Sequence, residues 1–191
     1  VKFTPEGDVT MCCFHARKCL GNIFQNSFEE IWFSPLAEQI RKDTSNQILH
    51  RTCSGNSCPF SKLKNLPLIN FDHGKFPHEL EIDLPNQHCN IGGERPNAKN
   101  LACLMCERNR RDPDEFYQED RLEEICFKIK PIMSYIKWVH VQGVAEPFWK
   151  NKIFEILKWL DVEGSKVWIS TTTNGTLMNA NHRKMFLEYP S

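Results

Sequence analysis

The distribution of nine cysteines over 191 residues constrains this chain more than any other feature. Cys12, Cys13, Cys19, Cys53 and Cys58 fall within the first 58 residues, Cys89, Cys103 and Cys106 follow as a second group, and Cys126 stands apart. A chain of this length can bury a proper core, so it does not need disulfides merely to stay folded. An odd number of thiols also cannot pair completely. No stretch approaches the roughly 20 apolar residues of a membrane span, and no charged-then-apolar leader opens the chain. The expected setting is therefore cytoplasmic and reducing, without a membrane partner, where clustered cysteines are more often metal ligands or catalytic groups than disulfides.

Charge excludes another class. Lys plus Arg and Asp plus Glu both number 24, which removes the electrostatic footprint of a nucleic-acid partner. The same balance says nothing about a substrate.

The first segment is punctuated by local signals. Lys2-Phe3-Thr4, a Pro5 to Asp8 turn and Val9-Thr10-Met11 predict a small hairpin that ends on the Cys12-Cys13 pair. Ser27 with Glu30 forms a capping-box pattern, and Ser34-Pro35 gives a second cap with Pro in the first turn, so short helices are expected near 28–33 and 35–43. Cys53-Ser-Gly-Asn-Ser-Cys58 is a turn-rich loop of small residues. This texture suits a ligand-binding module more than a packed core.

A different texture begins after a connector at about 65–78. Leu80, Ile82 and Leu84 alternate with acids, Lys137 to Gln142 is a second strand, and Lys166 to Ser170 is a third. Helical patterns at 116–133, at Ile153, Ile156, Leu157 and Leu160, and at the end of the chain separate or follow them. Strand-helix repeats imply parallel strands, whose ligands sit at the carboxyl ends. The polar motifs fall there. His140 and Gln142 lie on the second strand, one of them a candidate for facing the reaction chamber, and Cys126 reads as a small core residue.

Cys89 follows the first of these strands, and Cys103-Leu-Met-Cys106 arrives after thirteen intervening residues. A Cys-x2-Cys pair chelates one metal centre from a tight turn, and a third thiolate completes a three-point attachment. Spacing alone leaves two readings: a four-iron cluster with one open iron, or a zinc site that borrows a fourth ligand such as His88. Glu146 likewise has two readings, as a cofactor contact or as a solvent-facing acid at the start of a helix.

Taken in order, Cys89-Asn90, Cys103-Leu-Met-Cys106, Gly143-Val-Ala-Glu146-Pro147 and Thr173-Asn-Gly175 resemble the successive motifs of radical S-adenosylmethionine (SAM) enzymes. The resemblance implies that Cys89, Cys103 and Cys106 hold a 4Fe-4S cluster and that SAM chelates its unique iron. It further implies SAM contacts from Gly143, Ala145 and Glu146, and from Thr173 and Asn174. Two departures stand out: Ile91 to Ala102 are inserted relative to the common Cys-x3-Cys-x2-Cys spacing, and Met105 occupies a position that is often aromatic. Closure entropy grows slowly with loop length, so the longer loop still delivers three thiolates. Ala145 replaces the second Gly of the family's Gly-Gly-Glu-Pro motif.

Phe3 to Val9, Cys12-Cys13, Leu20-Gly-Asn-Ile23, Ser27 to Trp32 and Cys53 with Cys58 resemble SPASM and twitch domains, which bind auxiliary 4Fe-4S clusters in radical SAM enzymes. Cys12 or Cys13, Cys53 and Cys58 are the ligand candidates, with Cys19 a fourth ligand or a bystander.

The expected chain is thus α/β: a cysteine-rich iron-sulfur module over residues 1–70, then over 71–191 the first half of a (β/α)6 partial barrel with parallel strands. The resemblance implies an oxidoreductase-type radical enzyme that needs an electron donor and modifies a peptide, a protein or a small molecule. No catalytic side chain is assigned. The opening without Met and the stop at Ser191 are expected of a piece truncated at both ends, which alone would turn over weakly or not at all. The competing expectation is a noncatalytic zinc-binding structural or interaction module.

Overall fold

The computed structural model describes residues 1–12, 19–51, 75–85, 119–143, 145–160 and 166–188. Its centre is a mixed six-stranded sheet in the order β3-β2-β1-β4-β5-β6. The strands are β1 (Lys2–Phe3), β2 (Asp8–Thr10), β3 (Gly21–Asn22), β4 (Glu79–Leu84), β5 (Trp138–Gly143) and β6 (Trp168–Thr171).

The antiparallel edge grows from local chemistry. The turn between β1 and β2 is closed by Gly7 N donating to Thr4 O and Thr4 N donating to Asp8 O, each at 2.9 Å. Phe3 then pairs with Val9, and Val9 with Gly21 on β3. Asn22 fastens this corner, because its Nδ2 donates to Glu6 O at 2.8 Å and to Asp8 Oδ1 at 3.0 Å.

Two capped helices come next, α1 (Phe28–Trp32) and α2 (Pro35–Ser45). Both halves of the expected capping box form: Glu30 N donates to Ser27 Oγ and Ser27 N to Glu30 Oε2. Ser34 caps α2, with Pro35 at its first turn, where a missing N–H costs nothing. Trp32 ties α1 to the stretch leading into β4 by donating its Nε1 hydrogen to Lys75 O at 3.0 Å.

The three expected strands all form, and β4, β5 and β6 run parallel. Less foreseeable is the junction: β1 pairs in parallel with β4, Lys2 opposite Glu81 and Phe3 opposite Ile82. The expected division near residue 70 lies outside the described residues. On either side of it the sheet is continuous, and one core holds Phe3, Val9 and Ile23 together with Leu80, Ile82, Leu84, Val139 and Val141.

Alternation explains which face is buried. Leu80, Ile82 and Leu84 face the core, while Glu79, Glu81 and Asp83 face the other way. The core side packs against α3 (Leu122–Ile129) and α4 (Lys152–Leu160), whose Ile125, Ile129, Ile153, Ile156 and Leu157 are enclosed. The sequence pattern over 116–133 predicts a helix that ends near Pro131; α3 ends at Ile129 and gives way to a 3-10 segment, Lys130–Tyr135, because Pro131 has no N–H to continue the α-helical ladder. The last helix, α5, spans Ala180–Glu188.

Candidate functional site

The carboxyl ends of β5 and β6 meet through one carboxylate. Glu146, only 4 % exposed, sits three residues beyond the end of β5. Its Oε1 accepts from Thr173 Oγ1 at 2.6 Å and from Phe148 N at 3.3 Å, and its Oε2 accepts from Asn174 N at 3.1 Å. Burial and this set of partners overturn the solvent-facing alternative. An ionised carboxylate only accepts, and here it receives three hydrogens from two strand ends. Glu146 is therefore a clamp that fixes both loops.

The glycines around the clamp have distinct reasons. Gly143 adopts φ 125°, and a Cβ there would stand 2.8 Å from Leu84 N. Any side chain would push β5 off the end of β4. Gly175 needs its left-handed φ of 73° but has open space beside it. Its N–H donates to Thr173 Oγ1, and Asn174 Oδ1 accepts from Thr176 N, so the turn holds Thr173 against Glu146. Gly143, Ala145, Glu146, Thr173 and Asn174 thus occupy one pair of adjoining loops.

The face of the sheet away from the helices carries a row of polar side chains. Lys2, Glu81, His140 and Ser170 are successive register partners across four strands. His140 Nε2 lies 2.7 Å from Gln142 Oε1, Gln142 Nε2 donates to Glu81 Oε1, and His140 Nδ1 contacts Ser170 Oγ. Because Glu81 only accepts, the Gln142 nitrogen must face it and the Gln142 oxygen must face His140. The imidazole hydrogen consequently sits on Nε2. Both His140 and Gln142 face this side, being two residues apart on a strand.

Lys2 Nζ bridges Asp83 Oδ2 at 2.6 Å and Glu81 Oε1 at 3.2 Å. Burial alone would depress the lysine, but Asp83 and Glu81 together raise its pKa above the ordinary value. Burial raises the Asp83 carboxyl above its ordinary range, against the pull of Lys2 and with added repulsion from Glu81 and Glu6. Nothing local in Lys2-Phe3-Thr4 indicates which strand it will pair with, so the bridge has no signal in the sequence.

Among the cysteines, Cys126 is fully buried in α3, and burial pushes its thiol up to about 12. That is the expected inert core residue. Cys12 and Cys19 are exposed in the connection between β2 and β3. Cys13, Cys53, Cys58, Cys89, Cys103 and Cys106 lie outside the described residues. Among the described residues no three metal-ligating side chains gather, and no helix is long and apolar enough to cross a membrane.

Residues 1–59 match the family model of the SPASM iron-sulfur cluster-binding domain. The match covers the segment whose turn, cysteine pair and Ile-Trp motif carry the resemblance to such domains, and it supports iron-sulfur cluster binding there. Neither the comparison with curated proteins nor that with solved structures returns a match.

Proposed function

We propose that this chain belongs to a radical SAM enzyme with an auxiliary iron-sulfur module. Cys89, Cys103 and Cys106 are the proposed ligands of the SAM-binding 4Fe-4S cluster. Cys12 or Cys13, Cys53, Cys58 and Cys19 are the candidates for an auxiliary cluster. The observation that carries the reading is the joining of Gly143-Glu146 to Thr173-Asn174 at the ends of two parallel strands, in a chain whose first 59 residues match an iron-sulfur-binding domain.

The residues present fit such a cofactor. Gly143 brings the backbone against Leu84, where a Cβ has no room, and the open space beside Gly175 leaves the second loop approachable. Glu146 already accepts three hydrogens, so its part is to hold main-chain groups of the 143–148 loop in place for the SAM amino group. When bound, the cluster and SAM supply reductive sulfonium cleavage and a 5'-deoxyadenosyl radical for substrate modification. This chain's residues bind, orient and exclude water. In this reading the parallel strands open a partial barrel, the polar face is its interior, and the module ends near residue 70. A peptide or protein substrate is preferred over a small molecule, by analogy with enzymes that carry such modules. An electron donor and a cytoplasmic, reducing setting complete the proposal.

Anaerobic reconstitution tests it, with iron quantification, EPR of the reduced protein with and without SAM, and an assay for 5'-deoxyadenosine. The expected result is a SAM-perturbed cluster signal lost on replacing Cys103 and Cys106. A colourless protein with stoichiometric zinc, no SAM-perturbed signal and no cleavage product would sink the enzyme reading in favour of a zinc module.

A further inference from the structure

We propose that His182 is a positioning residue for the Glu146 loop, and that the affinity of this loop for SAM depends on the imidazole packed beneath it. The proposal rests on the assignment of that loop to SAM. His182 lies on α5, is 6 % exposed, and stacks on Phe148 with ring centroids 5.0 Å apart and planes 29° apart. Phe154 and Phe186 complete an aromatic cluster around Phe148. An apolar side chain would fill this place at lower desolvation cost, because a buried imidazole is tolerated only when its nitrogens find partners.

One partner lies just before α5 and the other on the loop. Asn179 N donates to His182 Nδ1 at 3.4 Å, so in the neutral ring the hydrogen sits on Nε2, which faces Asn151 Oδ1 at 2.7 Å. Asn151 and its neighbour Lys150 both adopt left-handed backbone, φ 61° and 50°. Two consecutive non-glycine residues in that region persist only where the surroundings hold them. The hydrogen bond from His182 holds the second. The stacked ring holds Phe148, whose N–H donates to Glu146 Oε1. One side chain of α5 thus grips the loop at two points within five residues of the clamp.

The test uses His182→Phe, which keeps the stacked ring and loses both nitrogen contacts, Asn151→Gly, which keeps access to left-handed backbone and loses the acceptor, and His182→Gln, which can still offer an N–H to Asn151. Hydrogen exchange is followed at the Phe148 and Asn174 amides of the reconstituted chain without SAM. Loss of one such bond should speed exchange about tenfold in the first two variants, with most protection regained in the third. In SAM cleavage assays the first two should raise KM for SAM and leave kcat unchanged, as expected of lost binding. Unchanged exchange in both His182→Phe and Asn151→Gly overturns the latch, as does a fall in kcat at constant KM. If His182→Phe does not fold, Asn151→Gly decides. A wild-type chain that binds no SAM removes the cofactor assignment, while the exchange result still decides whether His182 sets the loop.

Discussion

The antiparallel edge, β1 to β3, and the parallel part, β4 to β6, share one sheet but are specified in different ways. The edge is written in local chemistry: a turn closed between Thr4 and Asp8, a corner fastened by Asn22, and a capping box at Ser27 and Glu30. The parallel part depends on partners far apart in sequence. Thr173 meets Glu146 across 27 positions, Gln142 meets Glu81 across 61, and Lys2 meets Asp83 across 81. The signals that shape the edge are therefore local, whereas those that build the site come from the assembled sheet.

The sharpest way to break this comparison is to injure the edge and watch the parallel part. Phe3 is fully buried in the core that also holds Ile82 and Val141. Phe3→Ala should cost about 3–5 kcal/mol, and Ile82→Ala a similar amount, in a single unfolding transition shared by both segments. Denaturant unfolding followed at the Val139 and Val141 amides checks it. If Phe3→Ala melts the edge while those amides keep their protection, the two segments are separate units that merely share a sheet.

Next in size is the clamp. Glu146→Gln keeps the shape but turns an amide N–H toward one of three donors, so it should cost about 1–3 kcal/mol. Thr173→Val removes a single hydrogen bond and should cost about 1 kcal/mol. Both are read by urea midpoints. A Glu146→Gln protein as stable as wild type would mean that the two loops are held by something other than this carboxylate.

Much of the fold was legible because its signals are local. Ser27 with Glu30 and Ser34 with Pro35 announced α1 and α2, and the alternation of Leu80, Ile82 and Leu84 with acids announced β4 and its buried face. The parallel pair of β1 with β4 was not legible, since a two-residue strand carries no mark of its partner. Of the site, the order of Gly143-Glu146 and Thr173-Asn174 was readable as a pattern. That Glu146 is itself the link between them was not, because a single carboxylate carries no record of its burial or its donors. His182 was invisible for the same reason: Asn179, three residues before it, hints at a helix start, but nothing in the sequence points to Asn151.

Two smaller effects sharpen the contrast between local and long-range specification. Ser27→Ala removes one side-chain cap from α1 and should cost about 1 kcal/mol, measurable as a lowered urea midpoint with little change at the β5 amides. Lys2 is the opposite case, a residue of the edge whose ammonium pairs with two carboxylates of β4. Its pKa is raised above 10.5 in the folded chain, so its stabilising contribution is complete below that value and is lost as pH rises through the higher folded one. Asp83, also raised, has the same sign at the acid end: its contribution is fullest below 3.8 and declines as pH rises through its folded value. Lys2→Met should therefore erase part of the alkaline fall in stability relative to wild type. It should also steepen the loss from acid toward neutral pH, because Asp83 keeps its burial and loses its cation. Paired urea midpoints across pH for wild type, Lys2→Met and Asp83→Asn measure both limbs. Parallel curves for wild type and Lys2→Met would show that the bridge contributes nothing to joining the edge to β4, leaving the shared apolar core to do so alone.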